Sequence, residues 1–361
     1  MDSVTQAVLG ATIGVAMVGR RIGPRKAALL GAALGTVPDL DVIISHGDPV
    51  SDYVLHRGPT HSLIVQAAVT PLFAEPLVRF LRGLRNGRWT TYMMVYLVFA
   101  THALVDAMTI YGTKLLWPLT DFPFGLGSMF IIDPIYSLPL VGIALCALFY
   151  GRFSGRLHRW TVGALIVSTL YMGWSAVGQT ITTSRAETVL QARGISPERM
   201  FATPTVFNTI FWRVVAVDGD RYLNMYIPLF GYTADLPVYA HNRGKDFSFC
   251  LEANPAAQKI VKFSRGFVRF KRIDGELRTG DLRMGLEPSY VFDFAVARWD
   301  GVGFTPIQPR QIESEIGSDG DIDWLFSGLR GESLERPSEV AYLIPPADAE
   351  TQVAQSVRAQ C

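Results

Sequence analysis

Charge is spread so unevenly along this chain that its two halves read as belonging to different solvents. Residues 1–180 hold 13 lysines and arginines and 9 acidic residues, whereas the remaining 181 hold 20 and 23. Over the whole chain 49% of residues are hydrophobic and only 18% charged. That composition excludes a disordered chain or a disulfide miniprotein and argues against a wholly soluble protein. The net charge of +1 gives no argument for nucleic-acid binding. The expected architecture is a polytopic all-α membrane bundle over 1–180. A soluble α+β domain, mostly antiparallel β, follows over 181–345, and 346–361 reads as a flexible tail. Three cysteines, Cys146, Cys250 and Cys361, form no CxxC, and a Cys250–Cys361 bridge is left open.

A helix needs about 20 apolar residues to cross a bilayer. Six segments qualify as expected spans: 4–19, 27–44, 62–81, 90–111, 131–150 and 160–179. The first is short, the second is interrupted at Pro38-Asp39-Leu40-Asp41, and the third carries Pro71, Glu75 and Pro76. Non-ideal spans survive where their backbone is buried in protein or lines a wet cavity. The first segment is preceded by Asp2 and followed by Arg20, Arg21, Arg25 and Lys26, the reverse of a cleaved signal peptide. Two further basic groups follow, Arg79/Arg82/Arg85/Arg88 and Arg152/Arg156/Arg159. With six spans the three groups occupy alternate loops, so the positive-inside rule makes that side cytoplasmic. The loops at 45–61 and 112–130, and everything after 180, are then expected outside.

Ionisable side chains inside membrane segments are costly and mark function by default. Here Asp39, Asp41, His56, His61, His102, Asp106 and Asp133 all fall towards the expected outer face. His102 and Asp106 are four apart on a helix and share a face. Imidazoles with carboxylates suit Zn²⁺, Mn²⁺ or Fe²⁺, and so many candidates suggest two or more ions. Such centres activate water and clamp phosphoryl oxygens. Arg57 is a candidate phosphate partner, and a carboxylate not spent on metal, such as Asp41, a candidate general base. The bland readings are helix capping for Asp39, Asp41 and Asp133, an interfacial Arg57, and a surface Glu75. His46, His158 and His241 read as structural.

These residues resemble a known family, the bacterial membrane-bound metal-dependent hydrolases typified by YdjM. The resemblance covers about the first 140 residues. It rests on Met1-Asp2-Ser3-Val4-Thr5-Gln6, Pro38-Asp39-Leu40-Asp41, His56-Arg57-Gly58-Pro59-Thr60-His61-Ser62, His102-Ala103-Leu104-Val105-Asp106 and Asp133-Pro134. It implies a helical inner-membrane hydrolase with a divalent-metal site, and as ligands Asp39, Asp41, His56, His61, His102 and Asp106. The family is distantly similar in turn to the zinc-dependent phospholipase C and P1 nuclease group, a fold-level analogy. The family pattern opens with Thr-His where this chain has Thr5-Gln6. That metal position is lost, weakened, or supplied by Asp2 or a water.

Beyond residue 180 three alternating stretches turn on Asp218-Gly219, Asp274-Gly275 and Asp300-Gly301, strong hairpin signals. An antiparallel sheet is expected, with helices near 184–193 and 255–264. Phe207, Phe211, Trp212, Tyr222 and Tyr226 read as core. No catalytic motif appears there, so the domain is expected to be accessory, covering the membrane site or binding a partner. The function expected is hydrolysis of a phosphoester, of a membrane lipid or a lipid-linked substrate. A metal or proton transporter and a non-catalytic metal-binding scaffold are the alternatives.

Overall fold

The computed structural model describes residues 1–231, 236–313, 317–332 and 335–344. The expected tail at 346–361, with Cys361, lies outside the described residues. Contacts divide the chain into two units. One comprises Met1–Ile44, His56–Val177 and Val206–Asn208; the other Ser45–Leu55, Gly178–Thr205 and Thr209 onward.

The first unit is helical. Its helices are α1 (Ser3–Ile22), α2 (Pro24–Thr36), α4 (Leu63–Phe80), α5 (Arg88–Met108), α6 (Pro134–Tyr150) and the long α7 (Gly155–Ala192), which enters the second unit. The short α3 (Pro49–Leu55) belongs to the second unit. Asp2 caps α1 through Thr5, and Gly23, at φ 85°, lets the chain reverse into α2. These two helices pack backbone to backbone. A Cβ on Gly31 would lie 2.0 Å from the Gly10 carbonyl oxygen, and one on Gly14 2.4 Å from that of Ala27. Gly10-x3-Gly14 on α1 and Gly31-x3-Gly35 on α2 are the small-residue ridges that let membrane helices approach closely.

Among the described residues three stretches, rather than the expected six, are long and apolar enough to cross a membrane: Leu63–Phe80, Arg82–Met108 and Gly155–Ala192. The physical reasons differ. Segment 4–19 forms α1, whose glycines, alanines and threonines pack inside the unit and do not make it apolar enough. Segment 27–44 divides into the 13-residue α2 and a 3₁₀ turn over Pro38–Ile43. Segment 131–150 gives an apolar helix of 17 residues, α6. Of the three candidate spans, the one containing α5 is the most enclosed by protein.

The basic segments gather at one end of this unit. Arg25 donates to the carbonyls of Leu148 (2.5 Å) and Phe149 (2.9 Å) at the end of α6. Gly83 and Gly87 abut the Arg21 carbonyl and guanidinium. Glu75 pairs there with Arg79 and Arg88. At the other end lie the start of α1, the end of α2 and the end of α5, one α5 length away, about 30 Å.

The second unit contains two antiparallel four-stranded sheets. One has the order β1 (Arg199–Pro204), β2 (Phe211–Asp218), β3 (Arg221–Pro228), β4 (Val238–Asn242). The other, in space, runs β10 (Phe304–Gln311), β9 (Asp293–Trp299), β6 (Glu276–Asp281), β5 (Val268–Ile273); β7 (Gly285–Leu286) and β8 (Ser289–Tyr290) make a small ribbon. The expected turns join β2 to β3, β5 to β6 and β9 to β10. Asp274 and Gly275 both have positive φ (52° and 76°), as a two-residue hairpin turn of this hand requires. The expected helices are the end of α7 and α8 (Pro255–Phe263); a further helix, α9, spans Asp321–Leu329. Phe211, Trp212, Tyr222 and Tyr226 are buried. Phe207 is not: it is exposed in the segment 206–208 assigned to the first unit, its ring edge-on to Phe130.

Candidate metal centre

Four side chains converge where α2, α5 and the His-Arg-Gly-Pro-Thr-His-Ser segment meet. Asp39 comes from the 3₁₀ turn after α2, His61 from a second short turn over Pro59–His61, and His102 and Asp106 from the last turns of α5. His61, His102 and Asp106 are buried, and the Asp39 side chain is 18% exposed, so the cluster opens at Asp39.

The tautomer of each histidine follows from its outer partner. His102 Nδ1 lies 2.7 Å from the Gly35 carbonyl, which can only accept, so Nδ1 carries the proton. Thr60 Oγ1 donates to Asp41 Oδ2 at 2.8 Å and lies 2.9 Å from His61 Nδ1, which therefore donates to it. In the neutral rings both Nε2 atoms then turn lone pairs inward. The distances are His61 Nε2 to His102 Nε2 3.2 Å, each Nε2 to Asp39 Oδ1 3.3 Å, and to Asp106 Oδ2 3.2 and 3.5 Å. Ligands held tetrahedrally at about 2.0–2.1 Å from one ion stand about 3.3–3.4 Å apart. Asp106 Oδ2 is buried and accepts no hydrogen bond. Two imidazole nitrogens and two carboxylate oxygens with these spacings fit a divalent metal ion.

Around this set lies a layer of supporting groups. Asp106 Oδ1 accepts from Gln6 Nε2 at 3.0 Å and from the Met1 nitrogen. Arg57, buried, sets Nε 3.2 Å from Asp106 Oδ2, Nη1 3.2 Å from Thr109 Oγ1, and its guanidinium over the Tyr111 ring. Its backbone is left-handed (φ 58°), held by its N–H to Asp41 Oδ2 at 3.1 Å. Asp41 and His56 pair with each other, Oδ1 to Nδ1 at 2.8 Å, beside the four. Of the six ligands the resemblance implies, the structure brings four together and leaves these two as an adjoining pair.

The remaining candidates lie elsewhere. Asp133 caps α6 through the Ile135 and Tyr136 N–H groups and accepts from Tyr171. Asp2 is spent on Thr5, so it does not supply the missing position. His46 pairs with Asp52, and His241 with Glu339 in the second unit. Sequence reasoning missed Thr60, Gly35 and the hydrogen bond of Gln6. The signals available were Thr60 inside the histidine motif and the two glycine ridges that seat Gly35 against α1.

A sequence model of the family described as YdjM inner membrane protein matches residues 1–182, the stretch that supplies every group of this centre. The chain belongs to the YdjM family. No curated protein and no solved structure matches it. In this YdjM-family chain, the residue after Thr5 donates a hydrogen bond through its side-chain amide to Asp106, a member of the cluster.

Proposed function

We propose that this inner-membrane protein is a metal-dependent hydrolase of phosphoesters. The observation that carries the reading is the convergence of four lone-pair donors at metal-ligand spacing, open to one side at Asp39. Their mixed nitrogen and oxygen character suits Zn²⁺, with Mn²⁺ and Fe²⁺ as alternatives, and the four donors favour one ion rather than two. A divalent ion there supplies Lewis acidity and a water of lowered pKa.

The chain's own residues then have defined tasks. Arg57 neutralises Asp106 and is the fixed cation against which a phosphoryl oxygen settles. Asp41 fixes the His56 ring through Nδ1, which leaves Nε2 on a side chain 25% exposed to accept and return a proton. That shifts the base from Asp41 alone to the Asp41–His56 pair. The gathering of basic residues at the opposite end supports a centre at the outer face of the membrane, with the C-terminal domain outside as well.

One observation favours a second reading. Four protein donors complete a tetrahedral shell, as in structural zinc sites, and catalysis then needs a fifth ligand to enter beside Asp39. A scaffold without turnover fits that geometry. A transport pathway fits less well, because the cluster lies at one end of α5 rather than midway. The test is turnover by metal-loaded protein on bis(p-nitrophenyl) phosphate and on a fluorescent phosphatidylglycerol. His56→Ala is expected to retain the metal and lose about 100-fold or more in rate. Metal-replete protein that turns over neither compound selects the scaffold.

A further inference from the structure

The approach to the metal centre is flanked by two short segments outside the candidate spans, and both are unusually apolar. The first is the turn Leu40–Ile44. Asp41 points inward and is buried, while Leu40, Val42 and Ile43 point out at 53%, 74% and 77% exposure. The second is the loop 115–126, whose one charge is Asp121 and which exposes Leu116, Leu119 (78%) and Phe122. The loop is ordered by paired backbone hydrogen bonds between Thr113 and Phe124, and by Leu126 N–H to the Ala107 carbonyl at the end of α5.

Both segments hang on the same turn that carries His61. Asp41 Oδ2 receives Arg57 N–H and the Thr60 hydroxyl. From the loop, Lys114 N–H donates to the Arg57 carbonyl at 3.0 Å, Leu63 N–H to Leu115 at 2.9 Å, and Ser62 Oγ to Trp117 at 2.5 Å. Asp39, the one cluster member open to the outside, immediately precedes the first segment. The Asp-His cluster, with Arg57 beside it, is therefore bordered by two ordered apolar lips. Exposed apolar side chains at such positions in a membrane protein are stable where acyl chains cover them.

We propose that these lips form a lipid-tail site. Leu40, Val42 and Ile43 on one side, and Leu116, Leu119 and Phe122 on the other, hold the acyl chains of a bilayer phospholipid while its phosphate reaches the centre. This deepens the hydrolase reading and rests on it for the fate of the phosphate. The substrate class is then a phospholipid taken laterally from the membrane rather than a water-soluble phosphodiester.

The probe is a phosphatidylglycerol with a diazirine in one acyl chain, in vesicles of phosphatidylethanolamine and phosphatidylglycerol containing the full-length protein. Illumination and peptide mapping should concentrate adducts on 40–44 and 116–122. Excess unlabelled phosphatidylglycerol should compete, and glycerol 1-phosphate should not. The pairs Val42→Ser/Ile43→Ser and Leu119→Ser/Phe122→Ser should each lower this labelling about tenfold with metal content unchanged. Leu72→Ser, on an exposed face of α4, should leave it as it was. Adducts spread evenly along α4 and α7, or lip labelling that the paired substitutions do not change, overturns the proposal. Turnover of bis(p-nitrophenyl) phosphate without lip labelling removes the tail site and leaves the hydrolase. Lip labelling without any turnover keeps the tail site and removes the hydrolase.

Discussion

A histidine binds metal through whichever nitrogen its other nitrogen leaves free, so the outer hydrogen bond of each ligand matters as much as the ligand. For His61 that bond runs to Thr60 and on to Asp41. Thr60→Val keeps the side-chain shape and removes the link. Metal affinity should fall about 10- to 100-fold, read by chelator competition, and an unchanged affinity would contradict the assigned tautomer. Gln6 is the second residue to probe, since its amide already touches Asp106 Oδ1. Gln6→His should raise bound metal by one equivalent, with Asp106 shared; no rise means that position 6 is a hydrogen-bond donor and nothing more. The sequence identified the residue types and their end of the helices. It did not say which of the six ligands converge. His56 and His61 flank one short motif, but the left-handed backbone of Arg57 between them turns His56 towards Asp41. Nothing in the residue spacing announces a left-handed arginine.

At the scale of elements, the close approach of α1 and α2 ties helix packing to the centre. Gly35, on the α2 ridge, lies against the Gln6 backbone and gives its carbonyl to His102. Gly31→Ala forces a methyl group onto the Gly10 carbonyl, and should cost about 1–3 kcal/mol in thermal unfolding and weaken metal binding as well. Gly142→Ala in α6, where an added Cβ meets nothing within 4 Å, is the control and should be neutral or slightly stabilising. Equal effects from the two would contradict backbone contact between α1 and α2. Helices were easy to foresee and spans were not. Apolar content places a helix in the bundle, but glycine-rich α1 and short α2 spend that content on each other instead of on lipid. The β hairpins were legible because Asp-Gly turns are set by local backbone preference, as the paired positive φ values at Asp274 and Gly275 illustrate.

At the scale of the whole molecule, each unit carries a polar cluster, and that of the second unit sets a pH dependence. In the second unit, burial alone would raise the Glu339 carboxyl. Hydrogen bonds from His241, Asn224 and Tyr226, with the charge of Arg336, instead hold it down at about 2, against an ordinary 4.5. A depressed carboxylate contributes stability that is complete above its unfolded value and is lost as pH falls towards the folded one. This contribution, about 3 kcal/mol at neutral pH, should therefore fade between pH 4.5 and 2. Tryptophan fluorescence of the full-length protein should show acid unfolding in that window. Glu339→Gln should be less stable at neutral pH and flatter across it, whereas a parallel, unflattened curve would contradict the assignment.

In the first unit the Asp39, His61, His102 and Asp106 cluster is the candidate metal site. The most direct test of the account is metal content by plasma mass spectrometry on detergent-purified protein after loading with Zn²⁺, Mn²⁺ or Fe²⁺, beside His61→Ala and His102→Ala. One tightly held equivalent, lost in both variants with the fold intact, is the predicted result. No bound metal in well-folded, fully loaded protein would contradict the centre and leave four clustered polar side chains with a purely structural role.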